Sequence, residues 1–406
     1  MSKIFFSLFL VGILVLAALV SINLFYQAPL QSAISGNSRL RYLQTLFLPS
    51  QNKAQVVYGF LPYWNIERFQ LSPGLTHLSF FSLTIAADGS IITRQNGGTE
   101  PGYRHLGSDK FLELAAAART QEAAVELTFT QFNNNDIAAF LRSDQAQTNF
   151  LTALDSILLA YPISGINIDI EYSGSGAQEL QAGLTAFMRQ LHEHAQARYP
   201  DLTISIDVYA SAAANQQIWH MGDLADYVDY IVIMAYDFHQ RGSTQAGPVA
   251  PLFGENSSWS KNINHNLKKF LEQVPREKLL LGVPFYGYGW QTDSNNPRAN
   301  TYEGTGFTVS YQKAKALEQQ AETGVVSDQA WAGASQIKRQ FDEDALSPFI
   351  TYRMDDKFYT IYYENPLSLT YKMEYARHLD LAGIAIWALG YEDQEGELWG
   401  AIGEYL

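Results

Sequence analysis

The 406-residue sequence contains no cysteine. Disulfides, thiolate metal ligands, a cysteine nucleophile and a lipoprotein anchor are therefore excluded. Basic residues are scarce: 27 Lys and Arg stand against 41 Asp and Glu, leaving a net charge of -14. That balance argues against nucleic acid as a partner and is compatible with a neutral polymer. The eight histidines are dispersed. His192 and His194 are two apart on a helical stretch and face different ways, so no metal site is expected. There is no repeat, no low-complexity tract and no Gly-rich phosphate loop. Aromatics, in contrast, are plentiful, with 24 Tyr, 23 Phe and 7 Trp. Most belong to a large core; a minority is available for a groove.

No acidic residue precedes Glu67. Lys3 is followed by an apolar run from Ile4 to Tyr26, interrupted by Ser7, Gly12, Ser21 and Asn23. The run has the roughly 20 residues a membrane span needs. Residues 1–27 read as a signal peptide or transmembrane anchor. The anchor is favoured because no small-x-small cleavage site stands near Gln27–Ser35. Residues 28–54 read as a spacer, and 55–406 as one large domain. Export is expected either way, to the cell surface or the medium.

Past residue 55, short apolar strands alternate with helical patterns, the signature of a parallel βα protein. Candidate strands are Val56–Phe60, His77–Leu83, Val125–Thr130, Gly165–Ile170, Thr203–Tyr209, Tyr230–Tyr236, Leu279–Phe285 and Gly383–Trp387. Helical spacing fills Asp109–Arg119, Thr148–Ala160, Ala177–Arg198, Asn262–Val274 and Leu369–His378. Eight strands with crossover helices predict an α/β fold, a TIM (β/α)8 barrel. The gap between strands seven and eight is too long for a crossover helix. It predicts a small α+β insertion subdomain over about 291–365, with a helix near Ser310–Glu322.

The segment Gly165–Glu171 (GINIDIE) is the most informative. Three Ile alternate with Asn167, Asp169 and Glu171, so the polar residues share one strand face. A polar row on an inner strand is costly unless its groups are satisfied, and a closed barrel has no edge to solvate it. Asp169 and Glu171 lie about 6.6 Å apart along the strand. Two carboxyls in one pocket cannot both ionise cheaply, so one retains a proton near neutral pH. A glycosidic oxygen needs such a proton to leave. Glu171, nearer the C-terminal strand end, is the candidate acid. Tyr236 and Asp237 end strand six, and Trp387 ends strand eight. Each alone has a dull explanation in packing or capping; together they converge at one barrel mouth.

These segments carry a resemblance. GINIDIE resembles the strand-four signature of family 18 glycoside hydrolases of the bacterial chitinase or endo-β-N-acetylglucosaminidase type. Ile233–Asp237 (IMAYD) resembles its strand-six motif, and Trp387 its strand-eight Trp. Val57–Trp64, Ala246–Leu252 and Leu281–Trp290 are similar to further family segments. The likeness covers about residues 55–395. It implies retaining, substrate-assisted hydrolysis of β-1,4 bonds beside N-acetylglucosamine. Glu171 would be proton donor, and Asp169 would hold the acetamido N–H. Tyr236 would donate to the acetamido oxygen, with Asn167 and Asp237 completing the catalytic set. Asn167 departs from the Asp found there in many chitinases, and an amide cannot share a proton with Asp169.

Substrate-binding candidates are Trp387, Phe80, Tyr63, Trp64, Tyr209 and Trp290; Asp207 is a further residue able to reach the cleft. No cofactor and no metal is expected. The expected partner is an N-acetylglucosamine-containing polysaccharide or oligosaccharide. A membrane enters through the N-terminal segment only, and the chain is expected to be monomeric. The competing readings are a peptidoglycan-directed N-acetylglucosaminidase and a non-catalytic chitin-binding lectin of the same fold. A lectin would have no need of Glu171.

Overall fold

The computed structural model describes residues 55–215, 217–254, 259–393 and 395–406. The expected anchor or signal peptide (1–27) and spacer (28–54) lie outside the described residues. Among the described residues no helix is long and apolar enough to cross a membrane.

Eight parallel strands close into a barrel. Seven are β1 (Val56–Pro62), β2 (His77–Thr84), β3 (Ala124–Gln131), β4 (Gly165–Ile170), β5 (Thr203–Tyr209), β6 (Tyr230–Met234) and β7 (Leu279–Pro284). After an insertion that carries five further strands, strand β13 (Gly383–Trp387) pairs with both β7 and β1 and completes the ring. Three of the eight expected spans agree residue for residue. Strand six ends two residues early, at Met234.

Outward side chains of the strands pack beneath the helices in one continuous apolar core. The principal crossover helices are α1 (Asp109–Thr120), α2 (Asp144–Ala160), α3 (Ala177–Arg198), α4 (Ile263–Leu271), and, after the insertion, α6 (Pro366–His378). Their starts obey local chemistry. Ser108 Oγ accepts the Phe111 N–H at the head of α1, and Asn365 with Ser368 forms a capping box on α6. Phe150 on α2 packs edge-on to Phe129 of β3 and Phe187 of α3, tying two helices to the barrel wall. Ile166, Ile168 and Ile170 are buried in this outer core, which sends Asn167 and Asp169 inward.

The insertion is a five-stranded antiparallel sheet. It comprises β8 (Tyr286–Thr292), β9 (Phe307–Ser310), β10 (Ser335–Asp342), β11 (Ser347–Met354) and β12 (Lys357–Tyr362), in the order β9-β8-β12-β11-β10. Helix α5 (Tyr311–Thr323) starts at the cap Ser310. The sheet begins two residues after β7 ends, which swings Tyr286 and Tyr288 over the barrel mouth.

Candidate active site

A cleft of about 990 Å³ opens at the C-terminal ends of the barrel strands. Its floor carries Asp169 and Asp207, with Glu171 just past the end of β4. The backbone N–H of Glu171 donates to Gln131 O (3.1 Å), which continues the β3–β4 ladder by one residue and fixes where its side chain departs. Asn167 lies below, fully buried. Its Nδ2 donates to Ser205 Oγ (3.0 Å) and to Asp207 Oδ1 (2.8 Å). Asn167 Oδ1 and Asp169 Oδ1 have no protein partner.

The electrostatics follow from three neighbouring acids, two of them buried and one half-buried. Burial, then the charges of Asp207 and Glu171, push the Asp169 carboxyl well above the usual carboxylate range. Asp207 is raised as well by burial, opposed by the Asn167 hydrogen bond and reinforced by Glu171. Glu171 is raised by burial and by Asp237, against a hydrogen bond from the Tyr209 hydroxyl. The group titrates as a unit, and it retains protons at pH values where isolated carboxylates have lost theirs.

Tyr236 and Asp237 follow β6. Asp237 sits at φ 62°, a left-handed conformation that non-glycine residues adopt at some cost. It is held there by the Tyr286 hydroxyl and by the Tyr288 hydroxyl (3.0 Å), both donated from β8. So it is no helix cap: it joins the barrel to the inserted sheet. Tyr236 lies beside Gly282 of β7. A Cβ at Gly282 would meet Ile233 O at 2.3 Å and Tyr236 Cε1 at 3.1 Å, so glycine is required for this approach. Burial and the surrounding carboxylates raise the Tyr236 phenol well above its ordinary value and keep it a donor. Trp387 ends β13 and packs edge-on to Phe81 (ring centroids 4.5 Å).

Five of the expected catalytic and binding residues, Asp169, Glu171, Tyr236, Asp237 and Trp387, line this cleft together, as do Trp64 and Tyr209. Four others do not: Asn167 is buried beneath the floor, and Phe80, Trp290 and Tyr63 point elsewhere. Phe80 is fully buried against Phe111 of α1, in the layer between barrel and helices. Strand alternation explains the error: Ser79 points inward to Thr128, so Phe81 shares its face and Phe80 does not. Trp290 is also fully buried, its Nε1–H donating to Gln240 O and Arg241 O, so it anchors a loop and offers no face to a ligand. Tyr63 turns onto His105, stacked at 5.7 Å, away from the cleft lining. Asp207 lines the cleft too, and its inward parity with Ser205 and Tyr209 is readable in strand five. His194 serves structure, bonded to Asp155 at 2.8 Å.

Among the described residues one carboxylate group, Asp393, Glu395 and Glu397, has ligand atoms within 4.8 Å of one another. It is not part of the cleft lining, and Lys315 already pairs with Glu397 at 2.7 Å.

The sequence matches the model of glycosyl hydrolases family 18 over residues 41–392. The putative sporulation-specific glycosylase YdhD of Bacillus subtilis is 25% identical over 322 residues, covering 78% of this chain and 66% of that protein. The match therefore spans just under two thirds of that relative's length. Among solved structures, Ostrinia furnacalis Group IV chitinase superposes with a TM-score of 0.73 at 21% identity, covering 87% of this chain and 99% of that one. The Bacillus cereus spore cortex-lytic enzyme SleL does so at 0.63 and 20% identity, over 87% and 74%. At these identities the structures establish a shared fold.

Proposed function

The chain belongs to glycosyl hydrolases family 18, and from that premise we propose that its cleft hydrolyses β-1,4 bonds beside N-acetylglucosamine with retention of configuration. The observation that carries the reading is the row of acids, Asp207 and Asp169 buried and Glu171 half-buried, sharing one cleft with the phenol of Tyr236. Glu171 keeps a proton and gives it to the glycosidic oxygen as the bond breaks. The substrate's own acetamido oxygen attacks the anomeric carbon from the opposite face, so no second carboxylate is needed as nucleophile. Asp169 accepts the acetamido N–H, and Tyr236 donates to the acetamido oxygen. No hydrogen bond engages the Tyr236 hydroxyl among the described residues, which leaves it available for that role. Trp387 floors the reacting sugar. Glu171, now ionised, takes a proton from the water that opens the intermediate. The apolar run of residues 4–26 supports export.

Chitin oligosaccharide is the first substrate to test. Glycan strands of peptidoglycan are the second reading, favoured by the likeness to a sporulation-specific glycosylase and a spore cortex-lytic enzyme. A sugar-binding lectin is disfavoured by the intact acids. The deciding experiment incubates the full chain with chitin oligomers and with purified peptidoglycan and identifies products by mass spectrometry. Cleavage is expected to disappear in Glu171→Gln, a loss of about 10²-fold or more, with oligosaccharide binding retained. Wild-type turnover in that variant would refute the assignment of the acid.

A further inference from the structure

Deeper on the barrel axis lies a buried carboxylate that this reaction does not use. Glu126 projects inward from β3 and is fully buried. A Cβ at Gly165 would stand 2.7 Å from its Cδ, so only glycine on β4 leaves it room. Polar neighbours reach it from β1, β2, β5 and β6. The Tyr58 hydroxyl of β1 donates to Oε2 at 2.6 Å, and His77 of β2 places Nε2 3.9 Å from Oε1. The charge of Glu126 acts on Tyr230 at the foot of β6, and Asp229 and Asp207 act on Glu126. Oε1 has no hydrogen-bond partner. His77 does not neutralise it, since burial lowers that imidazole to about 4. Burial is also the main cause holding Glu126 at about 8, opposed by the Tyr58 hydrogen bond and reinforced by Asp229 and Asp207.

A continuous chain joins this group to the reacting acids. Tyr58 Oη lies 3.4 Å from Ser205 Oγ, Ser205 Oγ accepts from Asn167 Nδ2 at 3.0 Å, and the same amide donates to Asp207 at 2.8 Å. The hydroxyl hydrogens have two arrangements. With Glu126 ionised, Tyr58 donates to Glu126 and Ser205 donates to Tyr58. With Glu126 neutral, it donates to Tyr58, Tyr58 donates to Ser205, and the Ser205 hydrogen turns to Ile166 O at 3.5 Å.

We propose that Glu126 is a positioning residue that extends the working range of the cleft to alkaline pH: on ionising, it places a like charge below Asp207 and holds a proton within the Asp169, Asp207 and Glu171 cluster. The proposal rests on the roles given above to those acids. Two charges about 10 Å apart across a partly polar interior shift each other by about one pH unit.

The test measures kcat and KM against pH for the full chain, Glu126→Gln, Tyr58→Phe and the double variant. Glu126→Gln keeps the shape and an oxygen that accepts from Tyr58. Its alkaline limb of kcat is expected to move toward acid by about half to one pH unit, with KM within about twofold. Tyr58→Phe removes the hydrogen bond that favours the Glu126 anion, so it moves the limb the same way, and the double variant moves it no further. An unmoved limb in Glu126→Gln, or fully additive shifts, overturns the proposal. Carbon-13 NMR of labelled carboxyls follows the Asp207 titration without substrate. An inert wild type would therefore refute the proposed function, while the Asp207 shift would still decide this inference. If Glu126→Gln does not fold, Tyr58→Phe decides it by the same titration.

Discussion

Asn167→Asp inserts a further carboxyl into the acid cluster at nearly constant volume, and its cost can be worked from the geometry. In the native fold the amide nitrogen stands 3.0 Å from Ser205 Oγ and 2.8 Å from Asp207 Oδ1. The substitution puts an acceptor oxygen in that position. Two like charges 2.8 Å apart repel by about 6 kcal/mol at an effective dielectric constant of about 20. Binding one more proton, on whichever oxygen, avoids this. Holding that proton above the unfolded carboxylate range near 4 costs about 1.4 kcal/mol per pH unit. Proton uptake is therefore the cheaper course up to about pH 8. The sign follows from linkage. A carboxyl whose folded pKa is raised binds its proton more tightly in the fold, so stability is lost as pH rises from the unfolded pKa toward the folded one. The variant should match the wild type within about 1 kcal/mol at pH 4 and fall behind by about 4 kcal/mol at pH 7. Urea denaturation of both chains between pH 4 and 8 measures the difference. A gap that stayed constant with pH would show that no extra proton is bound and would refute the reasoning.

Tyr236→Phe should lower kcat about 10²-fold with a small change in KM, because the phenol's hydrogen bond strengthens as charge develops on the acetamido oxygen; steady-state kinetics on a chitobioside checks this, and an equal loss in ground-state binding would contradict it. Phe80→Ala and Phe81→Ala should separate cleanly. The first opens a cavity against Phe111 and costs about 3–5 kcal/mol of stability with KM unchanged. The second removes support from Trp387 and raises KM for oligosaccharides; denaturation curves and kinetics on the pair would expose a reversed assignment.

Most of the barrel was legible because its strands are short apolar runs separated by capped helices. The cap at Ser108 and the strict alternation of Gly165–Glu171 are local signals, and they survived folding unchanged. What failed was parity. Phe80 and Phe81 are both apolar and adjacent, so composition could not rank them. The neighbour that could is Ser79, a polar residue whose inward direction assigns Phe81 to the cleft. Trp290 shares parity with Tyr286 and Tyr288, which do reach Asp237, but two further residues along β8 the Gln240–Arg241 loop covers it. That covering is tertiary and leaves no mark in the local sequence. Glu126 was hidden for a related reason. In Ala124–Gln131 it reads as one charge in an apolar strand, and its partners Tyr58 and Ser205 lie on strands far away in sequence.

The interior of the barrel is divided, and the division explains the acidity of the site. On one side stand Glu126, Thr128, Asn167, Asp169, Ser205 and Asp207, all buried. Facing them is a small apolar cluster: Tyr58, Phe60, Phe81, Val232, Leu280, Ala382 and Ala385, with Trp387 packed against it. A wholly polar interior would hydrate, and the carboxyls would ionise at their ordinary pH. A wholly apolar one would have no partner for Asn167 or Tyr58 and would leave each acid isolated at a cost of several kcal/mol. The half-and-half arrangement keeps water out on one side and supplies hydrogen bonds on the other. The acids are thus desolvated enough to retain protons yet satisfied enough to remain folded. Glu171, at the open end of the same row, inherits the raised proton affinity while staying within reach of solvent and of a bound sugar. In this division of the barrel interior, the site's chemistry depends as much on the apolar wall of β1, β6, β7 and β13 as on the polar face of β4.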